Sequence, residues 1–170
     1  MHIGIVSLFS CKLLDPTLDL RHGGAEVQII TTAKELAKLG HQVTIYVFDL
    51  GQEIMTVDGL RVVPTIRHRP EVGPLLTILE QRKLWKALRS TQSSHILMPG
   101  GTGILWLLNL YGKRYNAKVI SVLMHDRDVI GAPLLKGIDK AGFKSALTKC
   151  AGIIAQNKAQ RDSVDHLDLP

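Results

Sequence analysis

Residues 23–48 read GGAEVQIITTAKELAKLGHQVTIYVF, and the period of the apolar pattern changes part-way through. Ala25, Ile29, Ala33, Leu36 and Ala37 recur at helical spacing, with Gln28, Thr31, Lys34, Glu35 and Lys38 elsewhere. That spacing predicts an amphipathic helix, and Gly40 ends it. Gln42 to Phe48 then runs as a strand. Upstream, His2 to Leu8 is a short β-branched and apolar run that reads as a buried strand, followed by a loop from Phe9 to His22. Downstream, Val57-Asp58-Gly59-Leu60 reads as a hairpin turn before a strand from Arg61 to Ile66. Beyond a loop rich in Pro, Arg and His come a helix from Leu75 to Arg89, a strand from His95 to Met98 and an apolar helix from Ile104 to Tyr111, expected to be covered on most sides. A strand from Lys118 to Met124, a helix from Pro133 to Lys149, a strand from Gly152 to Ala155 and a helix from Lys158 to Val164 complete the chain. Such alternation argues an α/β fold with a mainly parallel sheet covered by helices. Sheets of this kind bind ligands at the carboxyl ends of their strands, so the loops after Leu8, Met98, Met124 and Ala155 matter most.

Composition narrows the classes. The 170 residues are 45% apolar and 21% charged, as in a soluble globular domain, and disorder and fibrous repeats are excluded. Cys11 and Cys150 cannot build a disulfide scaffold, so a reducing compartment is expected. The N-terminus lacks the features of a signal peptide, and no apolar run approaches the roughly 20 residues a bilayer needs. A cytoplasmic protein is expected, with room for a place on a membrane surface. Charge is uneven: residues 1–60 carry net −3, residues 61–90 net +5 and residues 91–170 net +4. An acidic first third followed by basic segments fits an oriented, negatively charged partner, or a scattered solvated surface.

Three loops carry candidate chemistry. Gly23-Gly24-Ala25-Glu26 opens a helix, where two glycines let a ligand approach the backbone and the free N–H groups favour an anion such as a diphosphate. The alternative is a plain helix N-terminus with glycine for steric reasons. The spacing is not GxGxxG and the preceding loop is too long for the dinucleotide turn, which disfavours a nicotinamide oxidoreductase. His125 and Asp126 follow a buried strand, where a His can act as a general base or donate to a substrate hydroxyl, with Asp126 holding its tautomer. A His that only caps the strand end is the competing reading. Gly100-Gly101-Thr102-Gly103 is a second Gly-rich turn, weak alone. The histidines show no metal-ligand spacing, so no metal and no cofactor are expected, and neither cysteine reads as a nucleophile, with Cys11 expected as a loop thiol.

Together these stretches resemble the N-terminal half of a retaining glycosyltransferase of the GT-B fold, of the glycosyltransferase family 4 type. The resemblance rests on His2–Leu8, on Gly23-Gly24-Ala25-Glu26 with the helix ending ELAKLGHQV, on Val122-Leu123-Met124-His125-Asp126, and on Gly152-Ile153-Ile154-Ala155-Gln156-Asn157. It implies a Rossmann-like three-layer sandwich with a mainly parallel sheet, one half of the GT-B fold, as a single domain over 1–170. It further implies a hexosyltransferase type of activity that moves a sugar from a nucleotide-sugar donor to a glycan or lipid-linked acceptor with retention. Carried over, Gly23, Gly24 and Glu26 would sit at the donor diphosphate or sugar, His125 and Asp126 at the transferred sugar, and Gly100 and Gly101 on the acceptor side. The donor-binding half of the family, with its paired glutamates, is missing from the chain. A truncated piece, a fragment or half of a two-chain enzyme is therefore expected, inactive alone. No nucleic acid is expected as a partner.

Helical spacing also gathers Arg82, Lys86 and Arg89 in one stripe, beside Leu75, Ile78 and Leu79, and Lys136, Lys140 and Lys144 in another, flanked by Phe143 and Leu147. Basic side chains beside exposed apolar ones suit an anionic membrane surface, so a peripheral place on the inner membrane face is one reading and ordinary solvated lysine the other. A non-catalytic module binding a phosphorylated ligand or partner is the alternative function.

Overall fold

The computed structural model describes residues 1–67, 74–100, 103–125, 128 and 138–165; the side chains of residues 74–78, 138–141 and 144 are outside that description. The chain divides into two compact units, Met1–Ser94 and His95–Pro170.

The first unit holds β1 (His2–Val6), a 3-10 turn (Leu8–Ser10), α1 (Cys11–Leu14), α2 (Gly24–Lys38), β2 (Gln42–Asp49), β3 (Met55–Val57), β4 (Leu60–Arg67) and α3 (Pro74–Thr91). Its strands lie in the order β3-β4-β2-β1. β2 pairs parallel with both β1 and β4, Ile45 lying opposite Ile5 and Val62. Val43 to Val47 are all buried, the mark of a strand covered on both faces. β3 runs antiparallel to β4 through a turn at Asp58 (φ 50°) and Gly59 (φ 78°). Two positive φ angles make this the expected tight hairpin. Gly40 (φ 84°) ends α2, its N–H donating to Ala37 O while His41 N–H donates to Leu36 O. This is the paired closure that a left-handed residue gives a helix end.

Two details lock the first unit. A Cβ added at Gly4 would lie 2.9 Å from both Tyr46 Cε2 and Ser93 Oγ, so only glycine lets the Tyr46 ring cross β1. The fully buried Tyr46 then shares hydroxyl hydrogen bonds with Thr91 and Ser93 (3.2 Å to the latter), which tie the end of α3 to the sheet. The expected Phe9–His22 loop is corrected: it begins with the 3-10 turn and α1, which bury Ser10, Cys11 and Leu14. The segment is too short to show a helical period, yet Cys11 and Leu14 fall three apart and share one side.

The second unit holds β5 (His95–Pro99), α4 (Leu105–Tyr115), β6 (Lys118–Val122), α5 (Ile138–Leu147), β7 (Gly152–Ile154) and α6 (Lys158–Val164). Its strands lie in the order β5-β6-β7, all parallel, with Met98 opposite Ser121 and Val122 opposite Ile154. Leu105, Leu108 and Tyr111 of α4 and Phe143 and Leu147 of α5 supply its core. Gly112 is required where α4 meets β6, because a Cβ there would lie 2.6 Å from Ala117 O and 2.9 Å from Val119 Cγ2. Two expectations are corrected. α4 is not covered on most sides: Trp106 and Leu110 are 49% and 50% exposed, since one face is enough to meet the sheet. Phe143, expected as an exposed neighbour of the α5 lysines, is 2% exposed and belongs to the core.

The α/β class with a mainly parallel sheet is therefore what both units have.

Candidate functional site

In the second unit the carboxyl ends of the strands converge. Gly100 N–H donates to Val122 O at 2.9 Å, and Leu123 N–H donates to Ile154 O at 2.9 Å. The loops after β5, β6 and β7 are thus laced to one another at one edge. His125 stands there, exposed, three residues past β6. Its main chain is held from an unexpected quarter. Met124 N–H and His125 N–H both donate to Asp128 Oδ2, at 2.7 and 2.9 Å. Asp128 N–H in turn donates to His125 O at 3.0 Å, and Asp128 itself is 5% exposed. The adjacent acid expected from the sequence, Asp126, lies outside the described residues, as does Gly101.

Gly100 has φ 76°, a left-handed conformation that accounts for glycine without any ligand. On the β7 side, Gln156 Nε2 donates to Met124 Sδ at 3.4 Å. The buried Gln160 holds Gln156 N–H through its Oε1 at 2.8 Å, and Asn157 Oδ1 caps α6 through Gln160 N–H at 2.8 Å. Ala155, Gln156, Asn157, Lys158 and Arg161 line an open basin of about 630 Å³ at this edge. A larger, mostly apolar cavity of about 860 Å³ runs between α4 and α5 and reaches Ala117 and Ala151, at the amino ends of β6 and β7. It lies away from the strand ends where an α/β sheet binds its ligand.

The first unit presents the other candidates at the start of α2. Gly23, Gly24 and Glu26 come together there, both glycines exposed. Gly23 N–H donates to Glu26 Oε2 at 2.7 Å, so the carboxylate closes the helix start by reaching back. Glycine is not demanded by the chain at these positions. A Cβ at Gly24 would meet nothing within 4 Å, and one at Gly23 would meet only Glu26 Oε2, at 3.2 Å. Gly23 is extended, with φ −117° and ψ −175°, as any residue can be. The carboxyl ends of β2 and β4 add a charged cluster that the sequence did not announce. Asp49 lies 3.5 Å from Arg67 Nε and 4.0 Å from Lys83 Nζ, and Glu80 lies 2.9 Å from Lys83 Nζ. Glu80 also accepts from Arg67 N–H at 3.0 Å. Burial raises the Glu80 carboxyl, but that N–H and the Lys83 and Arg67 charges outweigh it and hold it below the usual carboxylate range.

Neither thiol is built for attack. Burial raises Cys11 above the ordinary thiol value and pushes Cys150 up to about 11, which keeps both protonated. Cys11 lies in α1 rather than in a loop.

A family model described as Glycosyltransferase Family 4 matches residues 22–170. The chain belongs to glycosyltransferase family 4. It is the N-terminal, family-4 type of domain, and its fold is that of one half of the GT-B architecture. Among solved structures it is similar to sucrose-phosphate synthase from Thermosynechococcus elongatus, with a TM-score of 0.69 and 12% identity over 99% of this chain and 45% of that one. It is also similar to Arabidopsis thaliana UGT89C1 complexed with UDP, with a TM-score of 0.55 and 14% identity over 99% of this chain and 46% of that one. A third is the Streptomyces sp. SF2575 glycosyltransferase SsfS6 complexed with thymidine diphosphate, with a TM-score of 0.51 and 12% identity over 100% of this chain and 47% of that one. At such identities the likeness is one of fold. The family-4 chain spans less than half the length of each. No curated protein matches it.

Proposed function

We propose that this family-4 chain is the acceptor-side domain of a retaining glycosyltransferase that uses a nucleotide-sugar donor and a glycan or lipid-linked acceptor. The observation that carries the reading is His125, exposed just past the carboxyl end of β6 while its main chain is fixed by a buried carboxylate. An exposed imidazole on a rigid strand end can donate to a hydroxyl of the transferred sugar or take a proton from the acceptor. Asp126 completes that site in the proposal.

Gly24 supports a ligand at α2, since the fold itself has no need of glycine there. In the proposal the donor diphosphate lies against Gly23 and Gly24, where the N–H groups of the first turn point outward. Glu26 holds Gly23 in place; a carboxylate beside a diphosphate is better used on the chain or on a sugar hydroxyl than on the phosphates themselves. Gly100 and Gly101 border the acceptor. The nucleotide is held chiefly by a donor half outside residues 1–170, so the 170-residue chain, acting as a single domain, does not turn over by itself. No cofactor is assigned.

Two measurements test this. Calorimetric titration of the 170-residue chain with UDP-glucose and GDP-mannose is expected to show weak binding. Dissociation near 1 μM, about −8 kcal/mol, would place the donor site in this chain and overturn the division of labour. In the enzyme that includes the donor half, His125→Ala is expected to lower kcat by roughly 100-fold with little change in melting temperature. Unchanged kcat with a lowered melting temperature would make His125 a structural residue.

A further inference from the structure

The loop after β6 is held by a carboxylate that neither spacing nor composition singles out. Asp128 is 5% exposed, and it takes part in none of the ion pairs among the described residues. Taking a carboxylate out of water is costly unless hydrogen bonds replace the solvent. Here Met124 N–H and His125 N–H do so on one oxygen, at 2.7 and 2.9 Å, and such charge-assisted bonds are among the strong ones. The return bond from Asp128 N–H to His125 O, at 3.0 Å, closes the loop on itself. The residue so restrained is exposed. Among the described residues of this loop Leu123 is the one buried apolar side chain, and β7 already anchors it through Ile154 O.

We propose that Asp128 is the positioning residue for His125: its buried carboxylate fixes the main chain of the strand-end loop and so sets where the imidazole stands at the carboxyl edge of the sheet. The inference rests on the reading of His125 as the residue facing the transferred sugar. A misplacement on the order of 1 Å can lower a rate about 100-fold, so a rigid mount for an exposed imidazole has a direct chemical consequence.

The test has two arms. In the 170-residue chain, nitrogen-15 relaxation and amide exchange at Met124 and His125 are followed in the wild type, Asp128→Asn and Asp128→Ala. The wild type is expected to give order parameters of about 0.85 at both amides, Asp128→Ala values below about 0.6, and Asp128→Asn, which keeps an acceptor oxygen, values between them. In the enzyme with its donor half, kcat and KM for nucleotide release from a panel of uridine and guanosine diphosphate sugars are compared in Asp128→Asn, His125→Ala and the double variant. Asp128→Asn is expected to lower kcat about 10-fold with KM nearly constant, and to add nothing once His125 is alanine. If Asp128→Ala fails to fold, Asp128→Asn carries both arms. His125→Ala impaired while Asp128→Asn keeps full kcat and rigid amides overturns this inference alone. His125→Ala without effect on kcat overturns the reading of His125, and the inference with it.

Discussion

At the scale of single residues, packing separates Gly4 and Gly112 from Gly24. Gly4 and Gly112 are demanded by packing, because a Cβ would come within 2.9 Å of Tyr46 and Ser93 at one and 2.6 Å of Ala117 O at the other. Gly24 is surrounded by open space and has no such demand upon it. Alanine substitution therefore has opposite expected outcomes. Gly112→Ala is expected to cost about 2 kcal/mol, from a backbone oxygen that cannot yield, and chemical denaturation checks it. Gly24→Ala is expected to raise stability by about 0.5 kcal/mol by restricting the unfolded chain, while lowering turnover of the enzyme with its donor half by 10-fold or more. The pair of measurements, denaturation midpoint and kcat/KM, decides whether open space at Gly24 serves a ligand. Equal activity in Gly24→Ala would return it to a plain helix start. Tyr46→Phe belongs to the same scale. Losing the hydroxyl bonds to Thr91 and Ser93 is expected to cost about 1 kcal/mol, read from the same denaturation curves.

At the scale of elements, sequence reading succeeded where a segment was long and its period plain. α2, β2, the Asp58-Gly59 hairpin and α6 fall where the pattern placed them, because each joins a clear period to a clear terminator such as Gly40. It failed at α1, whose four residues cannot display a period, and at α4, whose all-round apolar character does not say how much of it the sheet covers. It found the loop of His125 from topology, yet missed Asp128, because a side chain reaching back to two amides leaves no mark in spacing or composition. The basic stripes divide in the same way. On α3, Arg82, Lys86 and Arg89 are exposed and Leu79 is 49% exposed beside them. On α5, Phe143 is buried, Lys136 lies outside the described residues, and the side chains of Lys140 and Lys144 are not described. The expectation of a membrane contact therefore rests on α3. Each basic residue near an anionic surface contributes about 1 kcal/mol, within a Debye length of about 8 Å at physiological salt. Sedimentation with anionic vesicles is expected to pull down the chain at low salt and to lose it when Arg82, Lys86 and Arg89 become glutamine. Equal recovery with neutral vesicles would reject the contact. No helix among the described residues is long and apolar enough to cross a membrane.

At the scale of the whole molecule, the division at Ser94 gives each unit its own reporter, since Trp85 belongs to α3 of the first and Trp106 to α4 of the second. The buried thiol of Cys150 makes the second unit sensitive to alkali. Burial raises its pKa from 9.0 to about 11, so the native state keeps a proton that the unfolded chain gives up earlier. The sign follows from that difference: the contribution to stability is complete below pH 9 and is lost as pH rises from 9 to about 11, because only the unfolded thiol gains charge in that window. At 1.36 kcal/mol per pH unit the loss reaches about 3 kcal/mol. In the first unit, burial raises Cys11 and Tyr46 as well, so it too weakens on the alkaline side. The second unit can be isolated in Trp85→Phe, where Trp106 alone reports. Its urea midpoint is expected to fall between pH 8 and pH 10.5. Adding Cys150→Ala is expected to lower the midpoint at pH 8, through the small cavity it leaves, and to flatten the alkaline fall. A fall of equal steepness in the two proteins would show that another group in the second unit releases the proton.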